Sequence, residues 1–161
     1  MHDQPDMHPA LLPLAFLIGT WRGEGVGGYP TIESFRYRQE VTFGHAGKPV
    51  LSYGSRSWSL DDGRPLAVES GYWRPQPSGD LEAVIAHGSG VVEISVGTVQ
   101  GTRIEVASDV IARTASAKEV AALHRLYGLV DGRLMYAMDM AAMQQPLQPH
   151  LSAELRRAPD G

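Results

Sequence analysis

Short clusters of turn-forming residues punctuate this chain at close intervals, and no other feature of the sequence restricts its fold as much. They are "HAGKP" (45–49), "DDGRP" (61–65), "PQPSGD" (75–80), "HGSG" (87–90), "VQG" (99–101) and "VDGR" (130–133). Most of the intervening runs are of strand length, which leaves little room for helices and predicts an antiparallel all-β protein. Within the runs the residues alternate. In "SFRYRQEVTF", Phe35, Tyr37, Gln39, Val41 and Phe43 share one face; in "VVEISVG", Val92, Ile94 and Val96 do; "RIEVASDVIA" and "LMYAMDMAAM" repeat the habit. Eight to ten strands are expected. A meander of that size loses its exposed edges by closing, so the predicted architecture is a single up-and-down β-barrel of about ten strands.

Composition narrows the classes of partner. The 161 residues, 43% hydrophobic and 20% charged, make one domain with a substantial core, and no linker, repeat or low-complexity segment divides them. A net charge of -4, with acidic and basic residues mixed throughout, argues against nucleic acid or an anionic membrane as the main partner. The absence of cysteine excludes disulfides, thiolate metal sites, iron–sulfur clusters and thiol nucleophiles. The apolar run from Ala10 to Gly19 is too short to span a bilayer and is broken by Pro13. It also lacks the cationic lead of a signal peptide. It reads as a short helical plug, and the protein as soluble and cytoplasmic.

That plug leads into "GTWRGEGVGGYPTI" (19–32), which holds five glycines. Gly19 permits a sharp bend, and Trp21 supplies a flat surface to close a barrel floor, its indole N–H calling for a partner. Gly23 and Gly25 follow Trp21 at period two and clear space on its face. That space suits either a flat ligand or the close approach of a neighbouring strand.

"GTWRGEG" fits Gly-x-Trp-x-Gly-x-Gly, and together with "GGYPTI", "MQQPLQPHL" (143–151) and "ASAKEVAALHRLYGLVDGRLMYAMDMA" (115–141) it resembles the nitrobindin family from about Pro13 to Arg157. The resemblance implies a ten-stranded antiparallel barrel, residues 13–161, behind a flexible segment 1–12. It further implies one ferric haem b per chain at an open end, isomerisation of peroxynitrite to nitrate, and nitric oxide as a further ligand. By the same resemblance His150 is the axial iron ligand and catalytic centre, while Thr31 and Lys118 lie near the haem, where a hydroxyl and an ammonium suit its propionates.

The residues themselves bear on this. One axial imidazole leaves the sixth iron position open to a small molecule. Pro149 disfavours helix at Gln148 and fixes the backbone before His150. The segment from His150 onward reads either as an amphipathic helix, on Leu147, Leu151 and Leu155, or as a strand with His150 opposite the leucines at the barrel lip. His2 and His8 fall in the expected loose terminus, His45 in a turn beside Gly47, and His124 in a strand as a structural residue; His87 is expected in a turn open to water, the alternative being a place near the distal side of the haem. Met135, Met138, Met140 and Met143 are expected to fill an apolar interior. The competing reading is a carrier of a fatty acid or similar apolar ligand, which an internal carboxylate-binding arginine pair would favour. Arg36 and Arg38 fall opposite Phe35 and Tyr37 and are placed outside. Pairing into a homodimer is left open.

Overall fold

The computed structural model describes residues 5–159. Ten antiparallel strands follow one another around a closed barrel: β1 (Gly19–Tyr29), β2 (Ile32–Gly44), β3 (Leu51–Ser59), β4 (Pro65–Pro75), β5 (Asp80–His87), β6 (Val91–Gln100), β7 (Arg103–Arg113), β8 (Val120–Val130), β9 (Arg133–Ala142) and β10 (Gln148–Arg157). Each pairs with its sequence neighbours and β10 closes on β1, the expected architecture. All six turn clusters lie at strand junctions.

One end is closed by a 3-10 helix, Pro9–Leu17, that buries Leu11, Leu14 and Leu17. Burying each leucine contributes roughly 1.5–3 kcal/mol. Pro13 inside it cannot donate a backbone hydrogen bond, which suits a tight, short helix. His8 is its N-cap, its Nδ1 accepting from the Ala10 N–H at 3.0 Å. Residues 1–4 of the expected flexible segment, with His2, lie outside the described residues. The Trp21 indole donates to the Leu17 carbonyl at 2.9 Å. The Arg157 guanidinium lies 4.3 Å from the centroid of the Trp21 ring and donates to the carbonyls of Phe16 and Ile18. The plug is thereby tied to the start of β1 and the end of β10.

The glycines of β1 admit a neighbouring strand. A Cβ on Gly23 would collide with the Glu154 carbonyl and come within 2.8 Å of the Leu155 Cα; on Gly25 it would come within 2.6 Å of the Tyr37 ring and strike the Ser152 carbonyl. Glu154, Leu155 and Ser152 all belong to β10. The space that the glycine motif clears is thus taken by the strand that carries His150.

Inside, aromatic rings fill the barrel's middle: Trp73 meets Tyr127 at 5.0 Å and Phe43 at 5.2 Å between centroids, and Tyr127 stacks on Tyr136 at 4.8 Å. β2 turns its apolar row inward, burying Tyr37, Val41 and Phe43, and leaves Arg36 and Arg38 outside as expected. β6 does the opposite. Val92, Ile94 and Val96 face out, 41%, 39% and 43% exposed, while Glu93 and Ser95 are enclosed.

Candidate functional site

Up-and-down connectivity sends the turns before β2, β4, β6, β8 and β10 to the end opposite the 3-10 helix. Thr31, Lys118 and His150 all belong to that rim, so residues far apart in sequence meet at one mouth. His150 lies in a strand, which removes the helical alternative. It occupies a β-bulge: β10 pairs Pro149 with Asp139 and Leu151 with Met138, and His150 between them has no partner on β9. A bulge re-aims its side chain out of the strict in-and-out alternation, a common device at functional sites. β2 is bulged beside it, where Glu33 and Ser34 together oppose Gly28.

The imidazole has a fixed orientation. His150 Nδ1 lies 3.0 Å from the Gly28 carbonyl oxygen. A carbonyl only accepts, so Nδ1 carries a hydrogen, and in the neutral ring this tautomer leaves the lone pair on Nε2. The ring also meets Tyr29 edge to face, centroids 5.6 Å apart. A histidine whose other N–H is held by a backbone carbonyl is the usual arrangement of a metal ligand, because the hydrogen bond sets tautomer and direction together.

His150 opens onto a cleft of about 680 Å³ between β1, β2, β9 and β10. That volume falls in the range of small-molecule and cofactor sites, about 300–1,000 Å³. Val26, Arg36, Ser152 and Ala137 line it in one lateral row across the four strands, with Phe35 and Leu151 nearby. Arg36 is thus outside the barrel yet beside the histidine. Thr31 and Lys118 are exposed on the rim and do not line the cleft.

The four methionines of the β9 region separate: Met138 is in the core and Met140 packs against it, whereas Met135 and Met143 are exposed. His45 caps its own turn, accepting from the Gly47 N–H at 3.3 Å. His124 lies on the outer wall, Nε2 2.9 Å from Glu105 and Nδ1 3.8 Å from Asp139, in keeping with a structural role.

His87 differs from the expected water-exposed turn residue. It faces inward as part of a buried ionic cluster that the sequence reading missed. Its Nε2 lies 2.8 Å from Glu93 Oε1, and its Nδ1 3.6 Å from Glu69. Arg125, wholly enclosed, donates to both oxygens of Glu93, to Glu69 Oε1 at 3.0 Å and to the Tyr127 hydroxyl at 3.2 Å. Tyr53 donates to Glu69 at 2.8 Å and Ser95 to Glu93 at 2.6 Å. Burial alone would push Glu93 up, but the Arg125 charge and the hydrogen bonds from His87, Arg125 and Ser95 outweigh it and hold the carboxyl at about 2. Glu69 is likewise held below its ordinary value, burial being overcome by Arg125 and His87. The fatty-acid carrier calls for an internal arginine pair; Arg125 is the one buried arginine among the described residues, and two carboxylates of the protein already occupy it.

Comparison with known proteins bears on the family and the fold. The THAP4-like, heme-binding beta-barrel domain matches residues 10–157. A peroxynitrite isomerase of Frankia casuarinae is 52% identical over 96% of this chain and 89% of its own. One of Parafrankia sp. is 51% identical over 96% and 82%. The crystal structure of Rv2717c from M. tuberculosis superposes with a TM-score of 0.89 at 45% identity, covering 96% of this chain and all of that one. With the glycine motif, the ten-stranded barrel and the match over nearly its whole length, the chain belongs to the THAP4-like haem-binding β-barrel, or nitrobindin, family.

Proposed function

We infer that this protein is a haem-dependent peroxynitrite isomerase with His150 as the iron ligand. The observation that carries the assignment of His150 is its imidazole, pinned through Nδ1 to the Gly28 carbonyl and directing Nε2 away from that bond at the edge of a cofactor-sized cleft. Haem, when bound, supplies the ferric centre at which peroxynitrite rearranges to nitrate. The chain's own part is to hold that group by one nitrogen and to flank it with apolar surface from Val26, Phe35 and Leu151. Arg36 adds a positive charge at the cleft, which favours the approach of an anion. One ferric haem b per chain is the loading we propose, because of the two clefts of similar volume among the described residues His150 lines only this one. Nitric oxide is a second ligand we assign to the haem, and Thr31 and Lys118, on the same rim but outside the lining of the cleft, are assigned to the propionates on the family resemblance alone.

The enclosed Arg125 with its two carboxylates, and the aromatic filling around it, count against the apolar-ligand carrier. A homodimer is the assembly we propose, through the outer wall of β4–β7. There Tyr72, Val84, Ile94 and Val110 form one uncharged lateral row, and stacked sheets bury such rows. No helix among the described residues is long and apolar enough to cross a membrane; the cytoplasm is the compartment we assign.

The test is a hemin titration followed by absorption spectroscopy, with nitrate yield from peroxynitrite measured on the loaded protein. His150→Ala is expected to weaken hemin binding by about 100- to 1,000-fold, some 3–4 kcal/mol, with the barrel still folded, while His124→Ala leaves the spectrum unchanged. Unaltered hemin affinity and spectrum in His150→Ala would refute the ligand assignment.

A further inference from the structure

The turn that delivers His150 is strained. Between β9 and β10, Met143 and Gln144 take φ of +51° and +65°, consecutive left-handed residues that are not glycine. L side chains adopt that region only when their surroundings impose it, and such strain gathers at functional sites. Other junctions place glycine there: Gly47, Gly63, Gly79, Gly90 and Gly101, and Gly132 beside Asp131 in an Asp-Gly turn.

Two residues hold this turn. The Glu119 carbonyl accepts from the Met143 N–H and its carboxylate from the Gln144 N–H, both at 3.0 Å. The Tyr29 hydroxyl accepts from the Ala142 N–H at 2.9 Å and donates to the Met140 carbonyl at 3.0 Å. The Tyr29 ring meets the His150 ring edge to face, and the peptide just before Tyr29 supplies the carbonyl that holds His150 Nδ1. One side chain therefore fixes the end of β9 where the turn begins and flanks the imidazole that the turn presents.

We propose that Tyr29 and Glu119 are positioning residues for His150: they keep the β9–β10 turn in its strained form and so set where β10 places the imidazole. The proposal rests on His150 as the iron ligand. Outer partners of a metal ligand typically account for 10- to 100-fold in affinity, and the effect here runs through two hydrogen-bonded anchors and one ring contact.

The experiment is a double-mutant cycle read by hemin affinity, with thermal unfolding of the haem-free proteins followed in parallel. In the parent, Tyr29→Phe and Glu119→Ala are expected to weaken hemin binding about 10- to 100-fold. Glu119→Gln, which keeps a side-chain acceptor, recovers most of that loss. In the His150→Ala background, Tyr29→Phe and Glu119→Ala are expected to change hemin affinity no further, because the residue they act through is gone. An equal loss in both backgrounds would show a general weakening of the fold and overturn the proposal, as would full affinity in both single variants. Unchanged affinity in His150→Ala itself would instead sink the ligand assignment on which it rests.

Discussion

β2 and β6 alternate with the same period and in opposite senses. β2 sends Tyr37, Val41 and Phe43 into the core and its arginines out; β6 sends Glu93 and Ser95 in and Val92, Ile94 and Val96 out. Period two states that a run is a strand with two faces, but not which face the barrel will enclose. The choice at β6 is made by residues on other strands. Arg125 on β8 and His87 on β5 give Glu93 partners that it would lack on the outside, and Ile94 is left to join the outward row of Tyr72, Val84 and Val110, with Val92 and Val96 facing out in the rows on either side.

The largest effect follows from removing the cation that holds Glu93 inward. Arg125→Met leaves Glu69 and Glu93 buried without their counter-charge and is expected to cost about 3–5 kcal/mol, measured by urea denaturation. A cost below about 1 kcal/mol would mean that the inward carboxylates do not depend on it.

The next effect is acid sensitivity. Glu93 is held at about 2 against an ordinary 4.5, so its folded form favours the carboxylate. The associated stability is fully present above the ordinary carboxylate range and is lost as pH falls from about 5 toward 2. The shift corresponds to roughly 3 kcal/mol at 1.36 kcal/mol per unit. Glu93→Gln is expected to flatten the acid limb of a stability-against-pH curve, and an unaltered limb would assign the acid sensitivity to other groups.

The smallest effect sharpens the contrast directly. Val41→Thr on β2 puts a hydroxyl into the core and is expected to cost about 1–3 kcal/mol. Ile94→Thr on β6 is expected to change the stability of the isolated chain by no more than about 0.5 kcal/mol. Similar costs for the two, by chemical denaturation at low protein concentration, would contradict the opposite senses of the two strands.

Much of the fold was legible because it is written locally. Turn residues such as "DDGRP" and "VDGR" mark junctions by their own backbone preferences, and Gly19, Trp21, Gly23 and Gly25 announce the bent first strand and its floor. His150 was legible only through the family's Pro-Leu-Gln-x-His element. The bulge that aims it arises from pairing with β9, and no residue within "QPHLS" encodes a one-residue mismatch with a strand formed elsewhere. The ionic cluster escaped because Glu69, His87, Glu93 and Arg125 stand on four strands with no characteristic spacing. Two traces of it were nevertheless present. "LHRLY" places Arg125 in the row of Leu123 and Tyr127, and "VVEISV" sets Glu93 and Ser95 in the row of Val91. A charged residue in an apolar row, met by an opposite charge in a second such row, is the pattern to search for.

The tie between Arg157 and the plug bears on the order of assembly. Its guanidinium reaches the Ile18 carbonyl 139 positions earlier in the chain, and the whole β1–β10 ladder joins segments comparably remote. Contacts of such separation reward the chain only after a long loop has closed, so they form late and slowly. During synthesis, β1 through β9 can meander into an open sheet, but its two free edges stay unpaired until the last strand has emerged. The strand that carries His150, the ligand we propose, is also the one that seals the barrel, so the cleft beside it is completed in the same event that ends the nascent chain's exposure to edge-to-edge aggregation.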